Sequence, residues 1–576
     1  MSVKNELKNV ESLLKHHLFI IPSFQVYGGS AGIFDFGPLG CKLKRNFVEL
    51  WSKFFIDHDE LEEVDTSILL SYDVLKASGH VDRFCDYMTF DKENGEFYRA
   101  DHLIKQRLSE SLNQSADKNE LQALIDKIDF LQAEELSKII NHYQLKSDNG
   151  NELTEVVRFN LIFQTNIGPK KTNTSFLRPE TAQGQFLTFF RMNNKLPFGT
   201  ASIGKVFRNE ISPRNFLRLR EFEQCEIEYF TDPNNKKCEK IKEYLEIELP
   251  IFQENNLKIK KVKEVLDECS ELLTYFLVRS YLFLLEIGIR KEFIRVRQHD
   301  KEEMSHYAVD CWDLEILSSF GYVECVGIAD RGVYDLTQHV DRSKVSLKCK
   351  RECDKEVFIL FGKEYENKAE VIDKLTQQGY FIVKESESEI QVKLADKEKE
   401  LINKLKEMTT KQSKPHFLTT KKTKISTESF IPNVIEPSFG LNRILYCLAE
   451  HSLKYRDDKR NYFSFNEKMS PYFLEMSFIV KNDSLVNFLS KIRVDCSHKK
   501  NLRSVTIGKK YSVADEIGIK FYLTVDFVSL DDNCVTIRER DSMIQIRVSV
   551  FELDNVLSRL RKGEWDEVLK EKGRFN

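Results

Sequence analysis

The sequence predicts a multidomain protein of mixed α/β (α+β) class, and three observations support this. At 576 residues the chain is too long for one hydrophobic core, which suggests three or four units. An apolar fraction of 41% with only 12 prolines and 23 glycines favours packed cores over disorder. Segments with helical spacing also alternate with strand-like runs along the chain.

The first half begins with an amphipathic segment at 43–55 (LKRNFVELWSKFF), which follows the turn signal at 37–40 (GPLG) and predicts a helix. The Leu- and Ile-periodic text of 103–145 has almost no glycine and predicts a helical insertion, ending in a turn at 147–150. Short apolar runs punctuated by prolines at 159–230 indicate strands and loops. We expect charged helix at 236–286, and strands at 293–336 that complete the first sheet.

The second half opens with charge-rich text at 341–425, including KLADKEKELINKLKEM at 393–408 and a Lys/Thr-rich stretch up to Ser426. This composition predicts an inserted subdomain with a mobile edge, and its charges most simply mark a solvated face. From Pro471 to about Leu569 strand and helix text alternate again. A separate α/β domain is therefore expected at the end of the chain.

Overall charge and cysteine usage exclude several classes of protein. Lys and Arg total 87 against 91 Asp and Glu, a net charge of −4, so any RNA contact must be local. Of 12 cysteines only Cys349 and Cys353 lie close together, without the second pair that a structural zinc site needs, so we expect no zinc. Scattered thiols, the absence of a charged-then-apolar leader in MSVKNELKNV, and no apolar run of membrane-spanning length predict a cytoplasmic protein without a membrane partner.

A first nucleotide-binding candidate is the segment Phe207-Arg208-Asn209-Glu210, which ends a strand-like run and is followed, after a loop, by 218–223 (RLREFE). The arginines of such a hairpin could hold phosphates, with Phe222 against a base. By itself the pattern fits a charged hairpin with cross-strand ion pairs equally well.

The second candidate is 436–443 (EPSFGLNR), which leads directly into periodic text and predicts Arg443 on the first turn of a helix. The fragment alone would also fit a strand-to-helix connection with a solvated arginine. Next to the arginine hairpin, it supplies a second site able to bind phosphate.

The two segments resemble motifs 2 and 3 of the class II aminoacyl-tRNA synthetases, and the chain from about Phe34 to Leu569 resembles the glycyl-tRNA synthetases of the dimeric, eukaryotic and archaeal type. The segments that carry this resemblance are 35–40 (DFGPLG), 78–82 (SGHVD), 97–104 (FYRADHLI), 178–184 (RPETAQG), 207–214 (FRNEISPR), 297–299 (RQH), 305–313 (SHYAVDCWD), 327–336 (GIADRGVYDL) and 432–443 (PNVIEPSFGLNR). In the tail, 506–527 and 538–546 resemble the family's anticodon-binding domain. One departure is that motif 1 normally carries a proline where this chain reads LLSYD at 69–73.

The resemblance implies a class II antiparallel β-sheet catalytic domain flanked by helices, with helical and mixed insertions and a C-terminal α/β anticodon-binding domain. The expected parts are the N-terminal catalytic region with motif 1 (1–100), a helical insertion (101–158), the core with motif 2 (159–340), an inserted subdomain (341–428), the core with motif 3 (429–468) and the anticodon-binding domain (469–576).

The implied activity is glycine–tRNA ligation: glycine and ATP give glycyl-adenylate and pyrophosphate, and glycine then passes to the 3′ end of tRNA(Gly). The implied partners are ATP with Mg²⁺, glycine, tRNA(Gly) and a second copy of the chain. Arg208, Arg218 and Arg443 are the implied catalytic residues, which neutralise the phosphates. The implied ATP-binding set is Arg208, Asn209, Glu210, Arg218, Leu219, Phe222, Glu324, Cys325 and Arg443, with Glu324 nearest the ATP-bound magnesium.

Glycine has no side chain to recognise, so several carboxylates converging on its ammonium group would do most of the work. The implied glycine-binding residues are Glu180, Glu226, Glu436, Pro437, Ser438, Arg331 and Arg99, with Arg331 near the glycine carboxylate. Each isolated glutamate would also fit a surface ion pair. His299, His306 and His339 are interpreted as structural rather than catalytic.

Basic residues of the tail suit either phosphate contact or plain solvation, and they are Lys499, Lys500, Arg503, Lys509, Lys510, Arg538 and Arg540. Two alternative functions remain at this point. One is a class II synthetase for threonine, proline or histidine, against which the three glutamates and RPETAQG argue. The other is a catalytically silent, RNA-binding relative, which we would expect to have lost one of the three ATP arginines.

Overall fold

The computed structural model describes residues 10–112, 118–128, 131–169, 173–192, 195–254, 256–300, 304, 307–361, 382–386, 389–393, 419–457 and 460–575. His306 and all but the first residue of the 393–408 segment lie outside these residues. The chain divides into two compact units, Met1–Thr188 with Pro197–Arg342 and Asn433–Asn576, and Phe189–Leu196 with Ser343–Pro432. Among the described helices, none has the length and apolarity needed to cross a membrane.

The described strands and helices before residue 190 are β1 (Ile20–Pro22), β2 (Phe34–Phe36), β3 (Glu62–Glu63), β4 (Leu69–Ser71), β5 (Cys85–Phe90), β6 (Phe97–Arg99), β7 (Val157–Asn160), β8 (Gln164–Asn166) and β9 (Thr174–Leu177), with α1 (Glu11–His16), α2 (Pro38–Trp51), α3 (Tyr72–Ala77), α4 (His80–Arg83), α5 (Ala100–Leu112), α6 (Lys118–Lys127), α7 (Ala133–His142) and α8 (Ala182–Thr188). Helices α5 to α7 confirm the predicted helical segment after residue 100. Leu103, Leu108, Leu136 and Ile140 form its buried stripe, as the periodicity requires.

From residue 198 to the second unit the elements are β10 (Phe198–Phe207), β11 (Glu221–Thr231), β12 (Glu248–Gln253), β13 (Asn256–Lys261), β14 (Ile294–Gln298), β15 (Asp310–Ser318) and β16 (Gly321–Gly332), with α9 (Val262–Val265), α10 (Glu271–Ile287) and α11 (Tyr334–Ser343). The expected charged helix at 236–286 is wrong in its first half, which contains the β12–β13 hairpin. There Leu249, Pro250 and Ile251 are buried, while Lys258 of β13 is exposed and Lys260 and Lys261 are half-buried, so the charges belong to an edge strand of the sheet.

The second unit contains β17 (Cys349–Phe361), β18 (Ile382–Ser386), β19 (Glu389–Lys393) and β20 (Thr419–Phe430). These four described strands pair in the order β18-β19-β17-β20. Residues 419–425 of the Lys/Thr-rich stretch pair with β17 and lie in the edge strand of this described sheet, and the predicted mobility of that edge stays a prediction. Threonine has high β propensity, and lysine is a common residue of edge strands, so the composition is compatible with this pairing.

After the second unit come β21 (Asn433–Gly440), α12 (Leu441–Ser452), β22 (Leu453–Asp457) and β23 (Arg460–Phe463). Nine described strands form the central sheet in the order β13-β12-β14-β15-β16-β21-β11-β10-β3. Strand β21 lies in its middle and is antiparallel to both β16 and β11. The sheet is therefore not completed by residues 293–336, as the sequence suggested, but by a strand about 100 residues further along.

The helices on the central sheet cover a large aromatic core. Helix α10 is almost wholly buried, starts at the N-cap Ser270 and stops at Gly288, whose φ of +104° ends the helix. Helix α2 places Leu43, Phe47 and Trp51 on one side, at helical spacing. In the DFGPLG motif a Cβ on Gly40 would lie 1.9 Å from the Phe19 carbonyl oxygen, so only glycine permits this close approach.

The tail contains β24 (Leu474–Phe478), α13 (Asp483–Lys491), β25 (His498–Lys500), α14 (Ile507–Glu516), β26 (Phe521–Val525), α15 (Ser529–Asp532), β27 (Cys534–Glu539), β28 (Gln545–Ser549), α16 (Leu553–Arg561) and α17 (Trp565–Lys572). Its described strands pair in the order β25-β24-β26-β27-β28 over a core of their own. The predicted α/β alternation is confirmed. The tail is also tied to the preceding segment, because Arg540 donates a hydrogen bond to the carbonyl of Phe465.

Candidate active site

The predicted arginine hairpin exists and borders a cleft of about 560 Å³ at the middle of the central sheet. Strands β10 and β11 pair antiparallel from Phe198↔Phe230 to Phe207↔Glu221, which confirms the two-strand layout. Arg443 lies on the first turn of α12, as predicted. The cleft is lined by Arg208, Glu210, Phe216, Leu217, Arg218, Leu219, Phe222, Gln224, Glu324, Cys325, Ser438, Gly440, Asn442 and Arg443.

Arg208 is half-buried at the end of β10. Its Nε donates to the carbonyl of Pro179 at 3.2 Å, and its guanidinium lies 5.5 Å from the centre of the Phe222 ring and 5.4 Å from that of Phe84. Cation–π contacts of this kind hold the side chain without neutralising its charge. Arg208 therefore presents a positioned positive charge to the cleft.

The other two arginines are each held by a main-chain carbonyl or a carboxylate. Arg443 donates from Nε to the carbonyl of Leu217 at 3.0 Å and from Nη1 to the carbonyl of Glu324 at 2.9 Å. Arg218 lies 3.6 Å from the Glu210 carboxylate. Both side chains are one-third exposed, so they remain accessible to an anion that enters the cleft.

The residues that line the cleft differ from the predicted set in two respects. Asn209, predicted with its neighbours, is not among the lining residues, and its main-chain amide donates to the carbonyl of Leu161. Five lining residues were not predicted: Phe216, Leu217, Gln224, Gly440 and Asn442. Gln224 donates to the Ser438 hydroxyl at 3.2 Å and alternates with Glu226 on β11, a signal that the sequence did contain.

A cluster of buried acids lies beyond Ser438, organised by Arg331, which is 1% exposed. Its Nη1 donates to Glu436 at 2.8 Å and its Nη2 to Glu180 at 3.3 Å. Nε and Nη2 also donate to Asp335, at 2.8 and 3.1 Å, a contact that the sequence interpretation missed. These four bonds use four of the five guanidinium N–H groups, leaving one on Nη1.

Glu226 joins this cluster from β11. Its Oε2 accepts from both the amide and the hydroxyl of Thr181, and its Oε1 accepts from the Ser438 hydroxyl at 2.8 Å. Because Ser438 is the cross-strand partner of Glu226 on β21, the sheet register fixes this contact. The structure thus brings together Glu180, Glu226, Glu436, Ser438 and Arg331, with Pro437 buried between Glu436 and Ser438 on β21.

The charges of the cluster are strongly coupled. Burial opposes ionisation of Glu180, but Arg331 and His80 more than offset it and hold its pKa well below the usual range. Burial, together with Glu180 and Glu226, outweighs Arg331 at Glu436 and raises its pKa to about 8. The cluster therefore has more acid groups than its one guanidinium neutralises, which is the electrostatic setting for a cationic ligand.

Arg99 is not brought into this cluster. Its guanidinium is held by Asp101 and lies 3.1 Å from Asp86, and the cleft lining does not include it. Burial opposes the charge of Arg99, but Asp101, Asp86 and, after them, the predicted site residue Glu210 outweigh it and raise the pKa of Arg99.

Of the three predicted histidines, the two that the structure describes, His299 and His339, make structural contacts. His339 is buried and bonded to Gln183, and His299 is hydrogen-bonded to Asp313 at 2.5 Å. Together with Cys311, His299 and Asp313 form a group whose possible metal-ligand atoms lie within 4.8 Å of one another. The Asp313 carboxylate of this group also lies 3.7 Å from the guanidinium of Arg297.

The basic residues of the tail divide into three kinds. Lys499 and Lys500 are half-buried: Lys499 lies 3.6 Å from Glu475, and Lys500 donates to the carbonyls of Leu489 and Ile492. Arg503 and Lys509 are exposed, in agreement with either expectation for them. Three others are not: Arg538 is bonded bidentately to Asp515, Arg540 is buried against main-chain carbonyls, and Lys510 donates to Ser477 and Phe478. For these three, phosphate contact and plain solvation are both wrong, because they are buried structural cations.

Comparison with known families gives two matches. Residues 165–452 match the tRNA synthetase class II core domain (G, H, P, S and T), and residues 482–560 match an anticodon binding domain. Both regions contain the sites described above. The class II core match spans β8 to α12, including the cleft and the acid cluster.

Similar proteins agree with these matches. A glycine–tRNA ligase of Encephalitozoon cuniculi is 40% identical, covering 97% of this chain and 99% of its own. Glycine–tRNA ligase 2 of Saccharomyces cerevisiae is 38% identical over 98% and 97% of the two chains, and a glycine–tRNA ligase of Methanothrix thermoacetophila is 35% identical over 96% and 97%. A crystal structure of prolyl-tRNA synthetase from Cryptosporidium parvum has a TM-score of 0.50 at 10% identity, covering 98% of this chain and 78% of that one, which shows the fold alone.

Proposed function

The chain belongs to the glycine–tRNA ligase family of class II synthetases, and on that premise we propose that it joins glycine to ATP and passes the glycyl group to the 3′ end of tRNA(Gly). The observation that carries this proposal is the junction at Ser438. This residue lines the arginine cleft and also donates to Glu226 of the acid cluster. One site for polyphosphate and one for an ammonium group thus meet where a carboxylate could attack the α-phosphorus.

In the first step two anions must approach each other before pyrophosphate leaves, so charge neutralisation is the main requirement. We assign Arg208 to the α-phosphate, since its charge is positioned but not paired with any acid described in the cleft. Arg218 and Arg443, each one-third exposed, hold the outer phosphates. Phe222 stacks on adenine, beside Leu219 and Cys325. Asn209 is assigned to the ATP site because it lies between Arg208 and Glu210 in the chain.

Magnesium is proposed to arrive with ATP. The carboxylates of Glu324 and Glu210 both line the cleft, and Glu324 is 55% exposed, so hard oxygen donors are available of the kind that Mg²⁺ prefers. When bound, the ion would neutralise phosphate charge and help the pyrophosphate leave. The protein's own contribution is alignment by fixed charges, and no side chain serves as a nucleophile or general base.

Glycine is proposed to bind with its ammonium group among Glu180, Glu226 and Glu436. The remaining N–H of Arg331 on Nη1 is the group that we assign to the glycine carboxylate. Ser438 forms the wall between this pocket and the cleft, on the same face of β21 as Glu436, and Pro437 between them supports this wall from the core side of the strand. Arg99 is already paired with Asp86 and Asp101. It would therefore act on the substrate site only through its electrostatic interaction with Glu210.

Selection against alanine is expected to take place before adenylate forms. A pocket that fits the smallest amino acid rejects a larger one by steric clash, which has no ceiling of the kind that limits rejection of smaller ligands. Ser438→Gly should therefore raise alanine-dependent pyrophosphate exchange relative to the glycine-dependent rate. Glu226→Gln should lower glycine kcat/KM by about 10- to 100-fold, the loss of a hydrogen bond to a charged group.

Exchange of pyrophosphate into ATP with alanine, measured for the parent and both variants, tests this selection. The proposal of a closed pocket is wrong if the parent forms alanyl-adenylate readily and then hydrolyses it. In that case an editing site would be needed elsewhere in the chain.

The tail is proposed to bind the anticodon arm of tRNA(Gly), in line with its match to an anticodon binding domain. Exposed Arg503 and Lys509 suit phosphate contacts, whereas buried Arg538 does not. The double variant Arg503→Ala/Lys509→Ala should weaken tRNA binding and reduce its logarithmic salt dependence by about one for each phosphate that is no longer neutralised. Glycine-dependent pyrophosphate exchange should stay unchanged, and a parallel loss of exchange would contradict separate roles.

Further proposals concern the whole molecule. We propose a homodimer and a cytoplasmic location, the latter supported by the fact that each cysteine characterised in the described part of the chain is a free thiol. The functional division into parts 1–100, 101–158, 159–340, 341–428, 429–468 and 469–576 also stays a proposal. Sedimentation of the purified chain tests the dimer.

The deciding experiment is pyrophosphate exchange with each amino acid in turn. Exchange with glycine alone is the expected result. Exchange with threonine, proline or histidine would show another specificity, and no exchange with any amino acid would favour a silent RNA-binding relative.

A further inference from the structure

Glu228 is a buried carboxyl group of β11 to which the proposed reaction assigns no role. Its side chain is 0% exposed, and neither carboxyl oxygen has a hydrogen-bond partner among the described residues. Buried carboxyl groups are normally hydrogen-bonded, because leaving one without a partner costs free energy. The two oxygens therefore need an explanation beyond packing.

The position of Glu228 connects it to the acid cluster. It follows Glu226 by two residues on the same strand, so both side chains point to the same face of the sheet. Across from it on β10 is Thr200, whose hydroxyl donates to Gln185 instead. The hydroxyl of Ser202, across from Glu226, is likewise buried without a hydrogen-bond partner in the described part of the chain. In this part of the pocket the two carboxyl oxygens of Glu228 and the hydroxyl oxygen of Ser202 thus have no hydrogen-bond partner among the described residues.

The three glutamates already assigned to glycine differ from Glu228 in one respect. Glu226 accepts from Thr181 and Ser438, and Glu180 and Glu436 accept from Arg331. Each of them is thus held by the protein before any ligand arrives. In Glu228 every acceptor position remains available.

The charges that face Glu228 come from four elements: Glu226 on its own strand, Glu436 on β21, Arg331 on β16 and Glu180 before α8. Burial, followed by the charge of Glu436, raises the pKa of Glu228 well above its usual range despite Arg331. Four carboxyl groups next to one guanidinium cannot all ionise at low cost in a buried site. The positive charge of an added cation would lower the free-energy cost of ionising all four carboxyl groups.

We propose that Glu228 is a fourth carboxyl group of the glycine site, a positioning residue that releases its proton as the ammonium group of glycine enters. The inference rests on the proposed function. One O–H bond of Glu228 breaks, its proton leaves to solvent, and the ammonium group keeps its three protons. The new carboxylate then balances the positive charge of the ammonium group and strengthens the attraction of the whole cluster for that group.

This proposal makes glycine binding proton-linked. The proton must leave Glu228 before the full charge of the site is available, so the KM for glycine should fall as pH rises. Glu228→Gln keeps the shape and an acceptor oxygen but has no proton to release. Its KM should be higher and should depend less on pH.

The test uses calorimetry at about pH 7 in two buffers of different ionisation enthalpy, which counts protons released on binding. The probes are 5′-O-(glycylsulfamoyl)adenosine and 5′-O-sulfamoyladenosine, which lacks the glycyl group. We expect about one additional proton for the glycyl compound with the parent protein, and roughly half of that or less with Glu228→Gln. Glu475→Gln is the matched control. Glu475 is a glutamate of the tail that is as buried as Glu228, and one of its oxygens has no hydrogen-bond partner among the described residues. This variant should release as many protons as the parent.

Several outcomes would overturn the inference. Proton release by Glu228→Gln equal to that of the parent, with or without a loss of thermal stability, would make Glu228 merely structural. If Glu228→Gln does not fold, infrared difference spectra of the parent decide: binding of the glycyl compound must remove a protonated-carboxyl band, and its persistence overturns the inference. A parent that shows no glycine-dependent exchange would instead refute the proposed function, so the two failures are distinguishable.

Discussion

Arg208→Ala is expected to slow glycine-dependent pyrophosphate exchange by about 10²–10³-fold or more, the largest catalytic effect that the structure predicts. The reason is that removing one fixed donor from a developing oxyanion costs about 3–4 kcal/mol in enzymes that rely on positioned charge. Arg208 is the arginine of the cleft that neither a carboxylate nor a pair of carbonyls holds. Lys205, the basic residue of β10, lies outside the cleft lining and could not replace its charge.

Folding should be preserved in this variant, because Arg208 is half-buried and loses one hydrogen bond to Pro179, worth about 0.5–1.5 kcal/mol. Lys205→Ala is the matched control: it removes the basic residue of β10, the strand that ends just before Arg208, but one that is half-exposed and paired with Glu221 outside the cleft. Exchange and thermal unfolding should be measured for both. A rate for Arg208→Ala near that of Lys205→Ala would remove Arg208 from the mechanism.

Arg331→Met is expected to have the largest effect on stability, lowering the free energy of unfolding by about 3–5 kcal/mol near neutral pH. The substitution removes the guanidinium that bonds Glu180, Glu436 and Asp335 in a buried site. Three carboxyl groups would then remain close together without a cation. Arg290→Met, at an arginine whose side chain is 39% exposed and lies next to Glu292, is the control and should change stability by about 0–1 kcal/mol.

The pH dependence of this loss of stability shows whether lost charge or lost packing causes it. Arg331 helps to hold the pKa of Glu180 well below its usual range, so this ion pair stabilises the fold above the ordinary glutamate pKa and is lost as pH falls. The difference in stability between the parent and Arg331→Met should therefore be full at neutral pH and shrink on acidification. Chemical unfolding at several pH values measures it, and a difference that does not vary with pH would indicate lost packing instead of lost charge.

The sequence by itself determined the local elements that carry the chemistry. The hairpin of β10 and β11, the helix that begins just before Arg443 and the α/β tail all follow from short-range patterns: apolar periodicity, turn residues and charge at defined spacing. Family resemblance identified Glu180, Glu226, Glu436 and Arg331 before their proximity was known. The local elements depend only on residues that are close in the chain, and for that reason the sequence predicts them without knowledge of the tertiary structure.

Only the tertiary structure decided which distant residues share an environment. It placed β21 between β16 and β11, although a whole unit separates β16 from β21 in the chain. It also made buried structural groups of Arg538 and Arg540, which the sequence shows only as positive charges. Glu228 was missed for the same reason. Burial, hydrogen-bond partners and pKa depend on groups brought together through space, and local periodicity contains no information about them.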